Sequence, residues 1–293
     1  MDLINYIKTS PYVRTRASTR YPELSVVKYA KQVFYKNLWN RELEECRGLV
    51  IDADFNIVSY PFTKIYNYGI EKRAPNFSEM ELLKVYKKIN GFMAAITWYN
   101  GDILVSTTGS LDSDFVQYVY DMIPDLEAMR EVCKHYPNTT FMFECVHASD
   151  PHIIEEELGL YLLGSREKRI GSLIEAPRLS IAEKMGVFYV PEQHMYLQDV
   201  KAFAKSCKHE GFVMYNEKGI SAKIKSPYYL TKKFVARCTN EVKLSSPTIK
   251  EKLDEEYYGL IDKIQEDVGS FMAMDEQKRL EWVRNYFNNS LQT

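Results

Sequence analysis

Chemistry in this chain is suggested first by charged residues placed among apolar, strand-like neighbours. Lys88-Ile89-Asn90-Gly91 sets a lysine just before a glycine. Glu144 interrupts the apolar run Phe141-Met142-Phe143-Glu144-Cys145-Val146, and Glu210 immediately precedes Gly211-Phe212-Val213-Met214. In Ala222-Lys223-Ile224-Lys225 the two lysines share one face, because strand side chains alternate. Like charges on one face repel unless an anion lies between or above them, and a polyphosphate meets that need. A solvated sheet face with lysines protecting an edge is the bland alternative. A lysine before a glycine turn is likewise often an ordinary loop residue.

Upstream, Glu45-Cys46-Arg47-Gly48-Leu49-Val50 places an arginine at the mouth of a strand. Pro61-Phe62-Thr63-Lys64-Ile65-Tyr66-Asn67 adds a lysine among aromatics. Each is also readable as a surface charge with a buried stem. The five histidines, His135, His147, His152, His194 and His209, show no metal-ligand spacing, and only His209 adjoins a candidate residue. The stretch from Lys223 to Arg237 carries Lys223, Lys225, Lys232, Lys233 and Arg237 without an acid. It suits an RNA backbone, with Tyr228 and Tyr229 available to stack, or equally a solubilising helix start. Arg166, Lys168 and Arg169 form a loop cluster with the same two readings.

The elements that must position these residues are mostly short strands between about 46 and 235. Segments 49–52 and 57–60 flank a turn, and 95–99 and 103–106 flank Asn100-Gly101, the strongest short hairpin signal. Further strands are expected at 140–146, 160–163, 211–215 and 221–225, with Lys88 opening the strand before the hairpin. Helices are expected at 113–135, 179–185 and 198–207. Past Pro247 the apolar residues fall at helical spacing through Phe271, and a second helix begins after Asp275. The class is α+β with antiparallel sheets followed by a small all-α C-terminal domain, divided as 1–240 and 241–293.

Composition bounds the rest. The chain has 293 residues and 34.3 kDa, 45% hydrophobic and 27% charged, with a mean hydropathy of -0.35. A disordered or low-complexity chain is excluded. No apolar run reaches the roughly 18–20 residues that span a bilayer, and no signal-peptide core is visible, so a cytoplasmic protein without a membrane partner is expected. The net charge of -2 excludes a globally basic nucleic-acid coat but not a local basic groove. Residues 1–45 are basic, whereas 248–293 hold six basic and ten acidic side chains. Five scattered cysteines without C-x-x-C point to reduced thiols rather than zinc or a disulfide framework.

In this order the segments resemble the covalent nucleotidyltransferase superfamily of ATP-dependent ligases and capping enzymes. Lys88-Ile89-Asn90-Gly91 resembles its motif I, Phe143-Glu144 motif III, Glu210-Gly211-Phe212-Val213 motif IV and Lys223-Ile224-Lys225 motif V. Glu45-Cys46-Arg47-Gly48, Pro61-Phe62-Thr63-Lys64 and the aromatic Tyr228-Tyr229 after motif V resemble the RNA ligase 1 branch, the phage tRNA-repair type. The resemblance covers about 40–235.

It implies an adenylyltransferase domain in which Lys88 attacks the α-phosphate of ATP to form lysyl-AMP. AMP then passes to an RNA 5′-phosphate, and a 3′-hydroxyl displaces it. An unperturbed lysine has a pKa of about 10.4, so cations such as Lys223 and Lys225 are expected to activate it. Arg47, Lys64, Lys223 and Lys225 would disperse phosphoryl charge, and Tyr66 would stack on adenine or serve as a core tyrosine. Gly91 would allow close approach of the nucleotide. The resemblance gives Glu144 to the ribose or the metal and Glu210 to Mg2+ or Mn2+. RNA with 5′-phosphate and 3′-hydroxyl ends is the implied partner, with an end-healing kinase/phosphatase as a functional link, a monomeric state, and the host cytoplasm if phage-encoded.

Two departures stand out. Asn90 replaces the usual aspartate of motif I, and Ser106-Thr107-Thr108-Gly109 lacks the basic residue that the family places near the end of the hairpin's second strand to contact the triphosphate tail. A capping guanylyltransferase or a DNA ligase would keep the lysine chemistry, but an OB-type barrel normally follows motif V there, and only helical, acidic sequence follows here. A non-catalytic RNA-binding module would have no physical reason to keep the costly lysine cluster.

Overall fold

The computed structural model describes residues 2–150, 153–237 and 241–290, with 235–237 and 241 as backbone alone. His152 and Cys238 therefore lie outside the described residues. The strands, in chain order, are β1 (Val13–Ala17), β2 (Ser25–Tyr29), β3 (Arg47–Ile51), β4 (Ile57–Ser59), β5 (Tyr66–Asn67), β6 (Leu82–Lys88), β7 (Phe92–Tyr99) and β8 (Asp102–Thr107). They continue as β9 (Thr139–Val146), β10 (Gly159–Glu167), β11 (Ile174–Glu175), β12 (Phe188–Tyr189), β13 (Gln193–Tyr196), β14 (Gly211–Tyr215) and β15 (Ser221–Lys225).

The chain forms two compact units, Met1–Lys64 with Asn90–Val190, and Ile65–Ile89 with Pro191–Thr293. The first holds a sheet in the order β1-β2-β3-β4 and a second in the order β11-β10-β9-β7-β8, with β12 parallel to β10. Its main core packs Ile96, Val105, Phe141, Phe143 and Leu160 beneath Val119, Met129 and Met185 from helices. The second unit holds the sheet β13-β6-β14-β15-β5. Leu83, Val85, Met214, Ala222 and Ile224 line its inner face against Leu197, Val200 and Ala204 of the helix Leu197–Ser206. The α+β class with antiparallel sheets and a helical C-terminal segment is thus the observed architecture.

Most expected strands are present, and the hairpin forms where Asn100 and Gly101 both take positive φ, the backbone of a type I′ turn. Three expectations need correction. Lys88 ends β6 instead of opening β7; Leu82–Lys88 is a strand whose alternation, Leu83 and Val85 inward, is masked by its many lysines. The helix expected over 113–135 is two, Asp114–Asp121 and Leu126–His135. Pro124 disfavours helical backbone at the residue before it, and Asp125 restarts the helix by accepting a hydrogen bond from the Ala128 amide at 3.0 Å.

The long helix expected after Pro247 is likewise broken into the 3₁₀ turns Ile249–Lys252 and Glu255–Tyr257 and the helices Tyr258–Gln265, Val268–Ala273 and Glu276–Ser290. Asp267 and Asp275 cap the last two by accepting from the Ser270 and Lys278 amides.

Candidate active site

The second unit carries the lysines. Register pairs Gly211 of β14 with Lys88 of β6 on one side and with Lys225 of β15 on the other. Residues in one such row point to the same face, so Lys88 and Lys225 flank a position without a side chain. Ala222 and Ile224 are fully buried while Lys223 and Lys225 are less so, as the alternation in Ala222-Lys223-Ile224-Lys225 requires. Tyr66 on β5 runs alongside, with Ala222 opposite Tyr66 and Lys223 opposite Asn67. The Tyr66 ring is buried and its hydroxyl accepts from Arg73 Nε at 3.2 Å.

The electrostatics differ from a bare cation cluster. Lys88 Nζ lies 3.1 Å from Glu210 Oε1, and the Glu210 side chain is only 4% exposed. Lys225 is ion-paired with Glu256, both nearly fully buried. Glu256 comes from the turn Glu255–Tyr257 of the helical C-terminal segment, and Asn67 Nδ2 donates to it at 3.5 Å. Burial works against the Glu256 charge, but the Lys225, Lys233 and Lys223 ammoniums outweigh it and hold the carboxyl down to about 2. Burial likewise opposes the charge on Lys225, and Glu256 followed by Glu210 overcomes it, raising the lysine above its ordinary value. Lys233, paired with Asp254, is pushed down by burial and by Lys225.

Glu256 was not visible as a site residue. It sits in an acidic, solvent-like run, and only the tertiary fold turns it inward. Tyr229 is also displaced from its expected role. It is buried between the ammoniums of Lys225 and Lys233, 5.7 and 5.4 Å from its ring centroid, so it presents no face for stacking RNA. Burial first and Glu210 second push its phenol up to about 12. Tyr228 lies under Lys232, 4.6 Å away. His209 is structural: its Nδ1 accepts from the Gly211 amide at 3.2 Å, and its ring meets Phe212 edge-on.

The first unit carries the remaining candidates. Gly91 N donates to Glu144 Oε1 at 3.2 Å, and Glu144 is 8% exposed. A Cβ on Gly91 would strike the Cys145 carbonyl oxygen, so glycine is needed there for close strand approach. Asn90 Oδ1 accepts from the amides of Ile153 and Ile154, both at 3.0 Å. The acceptor oxygens of an aspartate would do the same, which explains how the uncharged residue is accommodated. Lys64 is 8% exposed with its Nζ 4.4 Å from the Trp39 ring and 5.6 Å from that of Phe34. Arg47 stands at the start of β3 beside Gly48. Arg166 is not a surface cation: it is 3% exposed, paired with Glu45 at 2.8 Å, and its guanidinium is centred 3.5 Å from the middle of the Tyr60 ring. Among the described residues no three His, Cys, Asp or Glu side chains gather as a metal-binding group, and no helix is long and apolar enough to cross a membrane.

These features define a nucleotidyltransferase fold of the ligase kind. An archaeal ATP-dependent RNA ligase superposes with a TM-score of 0.63 at 14% identity over 98% of this chain and 77% of that chain. A protein of Aquifex aeolicus assigned as an ATP-dependent DNA ligase gives 0.60 at 14%, over 99% and 78%. The particular family follows from sequence: the RNA ligase family model matches residues 45–247, and the chain belongs to that family. A protein of the Autographa californica nuclear polyhedrosis virus, assigned as a bifunctional polynucleotide kinase/RNA ligase, is 27% identical over 239 residues. The match spans 72% of this chain but only 34% of that viral protein.

Proposed function

We propose that this chain is an ATP-dependent RNA ligase that joins 5′-phosphate and 3′-hydroxyl ends through a lysyl-AMP intermediate. The observation that carries the reading is the row Lys88–Gly211–Lys225, with Glu210 against the Lys88 amine. A lysine must lose its proton before it attacks, and Glu210 Oε1 is within hydrogen-bond reach to accept it. The Lys88 Nζ–Pα bond forms as the bond from Pα to the β-phosphate oxygen breaks, and pyrophosphate leaves with that electron pair. Lys223 and Lys225 offset the charge that develops on the phosphoryl group.

In the second step an oxygen of the RNA 5′-phosphate attacks the same phosphorus. The P–N bond breaks and Lys88 recovers its proton. In the third, the RNA 3′-hydroxyl attacks the adenylated 5′-phosphate, its proton passes to solvent, and AMP departs. Family membership supports RNA as the acceptor. The kinase portion named for the viral relative supports a link to an end-healing kinase.

Glu144 and Glu210 are buried carboxylates, and among the described residues no three ligand-type side chains gather into a protein cage. That donor set fits Mg2+ or Mn2+ held mainly by water and phosphate oxygens, with one carboxylate each. Such an ion, when bound, supplies further neutralisation of the triphosphate. Tyr66, Arg47 and Lys64 complete the proposed nucleotide-binding set.

The test is incubation with ATP labelled at the α-phosphate. An acid-labile, alkali-stable label on the protein is expected, and it should vanish in Lys88→Ala. Lys223→Ala and Lys225→Ala should reduce labelling far more than Lys232→Ala, whose ammonium rests on Tyr228. Labelling with GTP in place of ATP would favour the capping reaction, and label surviving in Lys88→Ala would remove the assignment.

A further inference from the structure

The segment from Leu3 to Asn40 carries seven lysines and arginines against a single acid, Glu23. All seven cations are exposed, and among the described residues none of them pairs with a carboxylate. Later arginines of the same unit differ: Arg130, Arg166, Arg169 and Arg178 each have a carboxylate partner.

The fold sets several of these cations in a line. β1 is an edge strand of the sheet β1-β2-β3-β4, with Val13 buried and every residue from Arg14 to Ala17 exposed. Arg14 and Arg16 are two residues apart, so they point to one face about 7 Å from each other along the strand. Arg14 is opposite Lys28 of β2, which is opposite Arg47 of β3 on its other side. Lys28 Nζ sits 3.6 Å from where a Cβ on Gly109 would be. Burial of that ammonium first, and Arg47 second, lower its pKa. The Ala30 amide donates to the Tyr12 carbonyl at 2.6 Å. Lys31, which opens the helix Lys31–Tyr35, therefore stands at the same end of the hairpin as Arg14.

The line is held rigidly. Arg14 Nη1 donates to the Pro11 and Val13 carbonyls at 2.7 and 2.9 Å. At the turn between β1 and β2, Asp112 accepts from the Ser18 hydroxyl at 2.7 Å and from the Thr19 and Arg20 amides at 3.2 and 3.1 Å. That carboxylate is satisfied by neutral donors and leaves the cations unmatched. Charges on an edge strand do guard a sheet against pairing, and one or two serve that purpose. Seven in one segment exceed it, and their mutual repulsion is relieved when a polyanion lies over them. Tyr12 and Tyr35 stand among them, partly exposed. Cations in a row with aromatic rings between them suit a single nucleic-acid strand.

We propose that the β1–β2 hairpin and the start of the following helix bind the phosphodiester backbone of single-stranded RNA, with Arg14, Arg16 and Lys31 contacting phosphates and Lys28 adding to the field. The proposal rests on RNA being the substrate, as set out above. The guanidinium fork matches phosphate oxygens, and contacts to phosphate alone carry no base preference.

The experiment measures binding of a dye-labelled single-stranded RNA by fluorescence anisotropy over a range of salt. Arg14→Ser with Arg16→Ser should weaken binding by about tenfold at low salt and flatten the slope of log K against log salt by roughly 0.7 for each lost contact. Lys31→Ser should flatten it by about half as much as the pair. The losses should be alike for uridine-rich and mixed sequences, and Arg14→Lys with Arg16→Lys should recover most of the binding. Lysyl-AMP formation from ATP should keep its rate. A control pair, Lys134→Ser with Lys184→Ser, removes two exposed cations of the same unit and should change binding little.

Equal losses in the two pairs would overturn the proposal, because net charge alone would then account for them. RNA binding unchanged in Arg14→Ser with Arg16→Ser, or absent from the unaltered protein, would overturn it as well. Vesicles containing phosphatidylserine test another anionic partner: vesicle binding that the arginine pair abolishes while RNA binding persists would assign the surface to a membrane. If the unaltered protein forms no lysyl-AMP, the ligase reading fails by itself, and the two pairs still decide the surface.

Discussion

The two units handle crowded cations in opposite ways. Among the described residues of the second, the buried ammoniums of Lys225 and Lys233 have the carboxylates of Glu256 and Asp254 against them, and the partly exposed Lys88 has that of Glu210. In the first, Lys28 and Arg47 face each other with none. Burial explains the difference. Lys225 and Lys233 have side chains only 10% exposed, and a buried charge without a partner costs several kcal/mol. Lys28 is an exposed residue and tolerates an unmatched neighbour at small cost. A neutralised cluster is built into the fold, whereas an unneutralised one stands ready for an anion from outside.

The contrast is broken most severely at Glu256. Glu256→Ala strands Lys225 in the interior and should cost about 3–5 kcal/mol in denaturant unfolding. The double change Lys225→Met with Glu256→Leu should restore much of that stability while leaving the protein unable to adenylate. A loss below about 1 kcal/mol in Glu256→Ala would mean the pair does not anchor the C-terminal segment.

A second break uses acid. Glu256 is held down to about 2 from its usual value near 4.5. Between those values the unfolded chain binds a proton that the folded chain does not. The stabilisation is therefore complete above about 4.5 and is lost as pH falls toward about 2. Unfolding midpoints measured from pH 7 to pH 3 should fall more steeply for the unaltered protein than for Glu256→Gln. Equal slopes would show that the carboxylate does not ionise in place.

The smallest effect sharpens the comparison from the other side. Lys28→Gln removes a repulsion and breaks no ion pair, so its melting temperature should equal or exceed that of the unaltered protein. A clear drop would mean that Lys28 supports the fold rather than a ligand.

Several parts of this molecule were legible before any coordinates. Short-range alternation gives β14 and β15 their bounds and puts Lys223 and Lys225 on one face. The Asn100-Gly101 turn and the segment Leu179–Met185 are also set by local signals. β6 was hidden because four of its seven residues, Lys84, Tyr86, Lys87 and Lys88, are not aliphatic, and its inward pair Leu83 and Val85 is too short to register as a pattern. The breaks near Pro124 and Asp267 were missed because apolar spacing continues across them, while caps decide where a helix restarts.

What the sequence determined by itself is the set of candidate groups, Lys88, Glu144, Glu210, Lys223 and Lys225, because each is a charged residue at an alternating or turn position fixed by near neighbours. Only the tertiary structure decided their partners. Glu256 reaches Lys225, and Lys28 reaches Arg47 and the turn at Gly109, through strand register and chain reversal. Electrostatic energy depends on separation in space, and separation along the chain carries almost no information about it.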